Sequence, residues 1–274
     1  MKSLAHYIQE KLVIKKSNYN YFPETKKELK AIIKQRIKDE GNEVDLNDID
    51  VSNITDMYDL FANLDFNGNI SNWNVSNVTD MGNMFYDCKK FNRDISTWDV
   101  SNVKNMSGMF DMCEVFNKDI STWNVSNVTD MARMFLGCEN FNSNISTWDV
   151  SNVTNMNSMF AFCSLFNGDI SLWDVSNVTN MGGIFHECEV FNQDISSWNV
   201  SNVTNMYGMF YDCYKFNQDI SLWNVSNVTN MEGMFAICKS FNKNISSWDV
   251  SNVTNYADVF SSCQIQEKYK PKFK

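Results

Sequence analysis

The stretch "ISTWDVSNVTNMNSMFAFC", Ile145 to Cys163, decides the fold, because nearly the same string returns along most of the 274-residue chain. Trp recurs at 73, 98, 123, 148, 173, 198, 223 and 248, and Cys at 88, 113, 138, 163, 188, 213, 238 and 263. Every interval is 25 residues, and these positions hold all eight of each type. A fixed period of roughly 20–50 residues is the mark of stacked coils, each covering its neighbour's apolar face.

Within a unit, Met81, Met84, Phe85 and Cys88 fall at the i, i+3, i+4, i+7 spacing that places four apolar groups on one side of a helix. The pattern predicts about two helical turns, with Thr79 and Asp80 as N-cap types. In "DISTWDVSNV", the residues Ile95, Trp98, Val100 and Val103 are β-branched or aromatic with polar residues between them, which predicts a short strand centred near Ile95 followed by a turn. Asn, Asp and Ser replace Gly and Pro as turn formers, since the chain has ten Gly and two Pro. Ser76, Asn77 and Asn92 return in the later units, and stacked amides of this kind can satisfy backbone groups in adjacent coils.

The ends depart from the period. "DLNDIDVSNITDMYDLF", Asp45 to Phe61, aligns with the repeat but places Ile49 in the Trp column, and Leu64 then takes the Cys column. Ahead of it, Leu29, Ile32, Ile33 and Ile37 form one helical stripe with Gly41 as its stop, and Leu4, Tyr7, Ile8 and Leu12 suggest an earlier helix. The reading is therefore a helical N-terminal cap over 1–44, a solenoid of about nine 24–25-residue repeats over 45–263, and a basic tail over 264–274. Atypical end units are expected of stacked coils, whose outermost faces have no neighbour.

The fold class these features predict is an α/β solenoid, a leucine-rich-repeat-like right-handed coil stack with one short strand and one short helix per repeat. The motif W-[DN]-V-S-N-V-T-[DN]-M-x-x-M-F-x-x-C-x-x-F-N-x-[DN]-I-S, running from about Asp45 to Cys263, resembles the 25-residue repeat of the mycoplasma-type bacterial surface proteins. These form a family of unknown function grouped with the BspA-like leucine-rich-repeat proteins. The resemblance implies adhesion or protein recognition without catalysis, in proteins that are commonly secreted or lipid-anchored and have relatives in phages. The start of this sequence shows no apolar signal region and no lipobox cysteine, so a cytoplasmic or virus-encoded protein is the alternative.

The formal charge of −10 is uneven: residues 51–263 carry nine Lys/Arg against 23 Asp/Glu. Such a surface repels phosphate backbones, so nucleic acid is not an expected ligand. No apolar run reaches the ~18 residues that span a bilayer, and no membrane insertion is expected. The tail, with alternating Lys and Pro271, discourages edge pairing, and a monomer or weak dimer is expected.

No cofactor, metal site or catalytic group is expected. One Cys per coil gives parallel Cβ vectors, poorly aimed for disulfides or tetrahedral zinc, so the cysteines read as reduced core residues. Met reads as core packing. The Trp column is core unless the indoles are partly exposed, in which case sugar stacking becomes credible. The Asp rows (Asp94, Asp119, Asp169, Asp194, Asp219; Asp99, Asp149, Asp174, Asp249) read as turn-making or solvated, with calcium binding as the rival. His6 and His186 are far apart, and the repeated Ser lacks a partnered base.

Partner choice belongs to columns that vary between coils. One reads Arg93, Lys118, Ser143, Gly168, Gln193, Gln218, Lys243, expected to face solvent. Another, before Cys, reads Asp87, Met112, Gly137, Phe162, Glu187, Asp212, Ile237, with Met112, Phe162 and Ile237 as apolar exceptions. One coil adds Tyr207, Tyr211 and Tyr214. Apolar and aromatic side chains in an otherwise polar column mark candidate contacts for a protein partner. A glycan- or calcium-binding adhesin, or a structural component of a virion or cell surface, is the alternative.

Overall fold

The computed structural model describes residues 19–274. The earlier helix suggested by Leu4, Tyr7, Ile8 and Leu12 lies outside the described residues. The described residues open with a short segment in which Tyr21 makes a parallel bridge to Ile49, followed by helix α1, Lys26–Glu40.

Helix α1 closes the first coil. The Thr25 side chain accepts the Glu28 N–H as N-cap, and Gly41, at φ 90°, donates its N–H to the Ile37 carbonyl. Leu29 and Ile33 are fully buried against the coil. The polar contacts are local to the seam: Lys26 pairs with Asp56 at 2.6 Å, and Arg36 pairs with Asp48 at 2.8 Å and donates to the Asp45 carbonyl at 2.9 Å.

Beyond α1 the chain is a stack of coils held by hydrogen bonds between residues 23 to 26 apart. Parallel bridges run in one column: Asp56, Asp80, Asn105, Asp130, Asn155, Asn180, Asn205, Asn230 and Asn255. Each is an isolated bridge, so the predicted strand does not form, and the pairing sits at the Asp/Asn before Met instead of near Ile95. The Ile95 segment turns back immediately, with Trp98 N–H donating to the Ile95 carbonyl at 3.2 Å.

The predicted helix at Met81–Cys88 is also absent, and the reason is visible in the hydrogen bonds. The N–H groups of Met81, Asn83, Phe85 and Asp87 donate to Asn105, Ser107, Met109 and Asp111 of the next coil. Those of Met84, Tyr86 and Cys88 donate three residues back, to Met81, Asn83 and Phe85. A helix needs each N–H to reach the fourth residue back, but half of these are taken by the neighbouring coil. The result is a chain of tight turns with Asn83 at φ 50° and Asp87 at φ 58°. It brings Met81, Met84, Phe85 and Cys88 inward just as a helix would, so the apolar spacing cannot distinguish the two.

The interior is a set of side-chain ladders. Phe85 stacks on Phe91 at 3.9 Å within its coil and on Phe110 at 5.6 Å in the next, and the same arrangement repeats down the stack. The Trp column is buried, and each indole donates inward: Trp98 Nε1 to the Ile70 carbonyl at 3.2 Å, Trp148 Nε1 to Ile120 at 3.1 Å. Burial removes the sugar-stacking platform. Asn ladders tie the outside, with Asn102 Nδ2 donating to the Ser76 carbonyl at 2.8 Å and the Asn117 N–H to Asn92 Oδ1 at 3.1 Å.

The cysteines from Cys88 to Cys238 are unpaired and buried, each thiol donating to a Phe carbonyl of the preceding coil, as Cys163 does to Phe135 at 2.9 Å. Burial pushes the Cys88 thiol up to about 12 and raises the rest of the ladder too. Reaction with a thiol reagent needs the thiolate and access. Native protein should therefore label quickly only at half-buried Cys263, with the other seven labelling on unfolding. Rapid labelling of Cys138 or Cys163 in the folded state would contradict the ladder.

The tail lies against the last coil. Ile245 N–H donates to the Tyr269 carbonyl at 3.0 Å, Tyr256 hydroxyl to the Lys274 carbonyl at 2.7 Å, and Phe273 stacks on Tyr256 at 4.7 Å. Among the described residues no helix is long and apolar enough to cross a membrane.

Candidate binding face

The turn segment points residues outward in pairs between the inward pairs, such as Tyr86–Asp87 and Asn157–Ser158. The position before Cys is left-handed in every described coil: Asn63, Asp87, Met112, Gly137, Phe162, Glu187, Asp212, Ile237 and Ser262 all have φ between 56° and 69°. Side chains other than Gly, Asn and Asp pay a conformational cost there. Met112, Phe162 and Ile237 are held in it by the coil-to-coil bonds of their own N–H groups, to Leu136, His186 and Ser261 at 2.6, 2.7 and 2.8 Å. Asn tolerates this conformation and occupies it at Asn63. Ile237→Asn should thus raise the unfolding free energy by roughly 1 kcal/mol in urea titration, against the usual direction for replacing an apolar residue.

Met112 and Phe162 are exposed and lie on either side of a hollow of about 430 Å³. Its floor is Gly137, and Tyr86, Leu136, Asp111 and Arg133 complete the wall. The Asp111 carboxylate is 1% exposed, paired with half-exposed Arg133 at 2.8 Å. Burial raises its pKa, while the Arg133 charge and hydrogen bond pull the other way. Next along the stack, His186 lies 5.3 Å from Phe162 and stacks flat on Tyr211 at 4.5 Å. Burial holds the His186 imidazole below its ordinary range.

The structure distributes the sequence-predicted residues unequally. Met112 and Phe162 share one hollow, and Tyr211 continues the line through His186. Tyr207 and Tyr214 are exposed on the same coil, and Ile237 is half-buried two coils beyond Glu187. The column expected to face solvent is instead half-buried, and Arg93, Ser143, Gln193 and Gln218 in it bond to the preceding coil. Gln193 and Gln218 donate to the Asn167 and Asn192 carbonyls at 2.8 and 2.7 Å. Arg93 donates to the Asn67 carbonyl at 2.7 Å and pairs with Glu43; Lys118 and Lys243 are half-buried in the same column. A side chain leaving Asn–x–Asp at this point runs along the stack, where backbone carbonyls are the nearest acceptors.

The Asp rows make turns. Ser101 hydroxyl and N–H both donate to Asp99 Oδ1, at 2.6 and 3.1 Å, and hold that carboxyl below the usual range. Asn does the same work at Asn124 with Ser126.

Asp111, Arg133, Leu136 and Tyr86 were missed by the sequence reading. Asp111 is the lone carboxylate in a column reading Tyr86, Leu136, Ala161, His186, Tyr211, Ala236. Its partner is 22 residues on, off the 25-residue period, and so visible only once the coils are superposed. Leu172 and Leu222, 85% and 89% exposed, were also missed. They stand where Thr97 and Thr122 donate hydroxyls to the preceding coil's Ser carbonyls at 2.9 and 3.0 Å.

Coils stacked in register, with constant residues inside and variable turns outside, define a solenoid repeat protein. The chain belongs to the family described as Mycoplasma protein of unknown function, DUF285, which matches residues 28–146, 111–197 and 169–272. No curated protein matches the chain. Among solved structures, a slight likeness is to the functional domain of InlJ from Listeria monocytogenes, described as including a cysteine ladder. The identity is 10% and the TM-score 0.17; the alignment covers 76% of this chain and spans 59% of the length of the other.

Proposed function

We propose that the chain is a non-enzymatic protein-binding scaffold, a coil stack of leucine-rich-repeat type acting as a monomer or weak dimer. It offers the turns carrying Met112, Phe162, His186 and Tyr211 to another protein. The observation that carries this reading is the hollow between Met112 and Phe162, where two exposed apolar side chains occupy a conformation that favours Gly. Met and aromatic side chains around a concavity are typical of interface centres. The repeated hydroxyls support the absence of catalysis, since Ser76 and Ser101 donate to the Asn or Asp two residues earlier at 2.8 and 2.6 Å. The adhesin reading has less support, because the indoles are buried and Asp99-type carboxylates are engaged in turns.

Selection from a displayed random-peptide library tests the face. Peptides selected on the folded chain should lose about tenfold or more in affinity on Phe162→Asp or Met112→Asp, the scale of an interface hot spot. Selected peptides indifferent to both substitutions would move the binding surface elsewhere, with Leu172 and Leu222 the next place to look.

A further inference from the structure

The hollow contains a group that packing does not account for. Asp111 is the one buried charged side chain among the described residues. Arg133 Nε and Nη2 both approach the same oxygen, Oδ2, at 2.8 Å. The other oxygen, Oδ1, has no hydrogen-bond partner. A guanidinium ordinarily grips a carboxylate with two parallel bonds, one to each oxygen. Here the second oxygen is left as a buried acceptor without a donor, an arrangement that costs free energy in the unliganded protein.

The shape around it is equally specific. Met112 and Phe162 flank Gly137, and a Cβ on Gly137 would lie 2.6 Å from Met112 Sδ. The missing side chain leaves a slot between walls two coils apart, roughly 10 Å between backbones at the spacing of parallel chains. That width admits one extended side chain. Glu114 and Glu139 also line the slot, and Arg133 is its sole cationic lining residue.

We propose that this slot receives a single arginine side chain of a protein partner, its methylenes between Met112 and Phe162 and its N–H groups directed to Asp111. The half-exposed Arg133 shifts aside as the ligand guanidinium enters, and Glu139 balances the added charge, Glu114 being paired with Lys89 at 2.9 Å. An arginine supplies both halves of what the slot offers, an apolar stem and a forked donor. The proposal rests on the protein-binding reading and names the residue recognised at that site.

The test is fluorescence polarisation with pools of labelled pentapeptides that fix arginine, citrulline or glutamate at the centre and vary apolar residues on either side. The arginine pool should bind saturably, with citrulline weaker by about tenfold or more, as expected for losing a charge-assisted hydrogen bond. Asp111→Asn should cost the arginine pool a similar factor, and Phe162→Ser, an exposed position, provides a second variant with little bearing on folding. Equal binding of arginine and citrulline pools, or indifference to Asp111→Asn in protein that melts normally, would overturn the proposal. Peptides that depend on Phe162 but not on the central charge would sink the arginine inference and leave the binding face standing. If no peptide depends on Phe162, both fail.

Discussion

Phe135→Ala is expected to destabilise the protein by about 3–5 kcal/mol, the range for truncating a fully buried Phe. Phe135 is 0% exposed and sits mid-stack, 4.0 Å from Phe141 in its own coil and 5.7 Å from both Phe110 and Phe160 in the coils on either side. Backbone hydrogen bonds on both sides hold the coils at fixed spacing, so the cavity cannot collapse without breaking the ladder. That places the cost in the upper part of the range. Because each coil contacts only its neighbours, the stack is quasi-one-dimensional, and a weakened central coil should decouple its two halves. Urea unfolding should therefore show a lower midpoint and a shallower or split transition. Phe260→Ala, at the half-buried last coil, should cost less and leave a single transition. Equal effects at both positions would argue against a continuous core.

Arg133→Ala is the second large effect, and it depends on pH. Removing Arg133 leaves Asp111 buried without a counter-charge or hydrogen bond, a loss of roughly 1–3 kcal/mol near neutral pH. Desolvation already raises the Asp111 pKa, and Arg133 supplies the charge and hydrogen bond that lower it; the variant's Asp111 is thus raised further. A carboxyl whose folded pKa lies above its unfolded value disfavours folding while ionised. The penalty is relieved as pH falls through the raised folded value toward the ordinary carboxylate range. The variant should accordingly be destabilised most at pH 7 and approach wild type in mild acid. Asp111→Leu, which installs the residue the next coil carries at Leu136, should restore stability in the Arg133→Ala background at neutral pH. A replaced buried pair is tolerated where a broken one is not. A pH-independent loss would mean that Arg133 contributes packing alone.

Much of the architecture was legible in the letters. The 25-residue recurrence of Trp and Cys placed both types in the core, and the Asn ladders followed from identical amides meeting in successive coils. The stripe Leu29, Ile32, Ile33, Ile37 corresponds to α1, the one α-helix among the described residues. The repeat's own local structure differs from what its apolar pattern predicts. Met81, Met84, Phe85 and Cys88 satisfy a helical period, yet their segment is a run of turns, because apolar spacing reports only which side chains point inward. It is blind to whether an N–H is used within the coil or given to the next one. The Ile95 segment looks like a strand for the same reason, since β-branched and aromatic residues mark burial as well as pairing.

The candidate site divides along the same line. Met112 and Phe162 stood out as apolar letters in a polar column, and the period alone could find them. Asp111 and Arg133 could not be paired from the sequence, because their 22-residue separation matches neither a local turn nor the repeat. Nor could Gln193 and Gln218 be withdrawn from the surface until neighbouring carbonyls were in place to accept from them. By itself the sequence determined that equal coils lie in register around one core, since identical apolar columns have no other partners to bury against. Only the tertiary structure decided the path of the chain within a coil and which outward side chains meet. The path depends on backbone hydrogen bonds between coils, which leave no trace in residue type, and the side-chain meetings, such as Arg133 with Asp111, follow from that path.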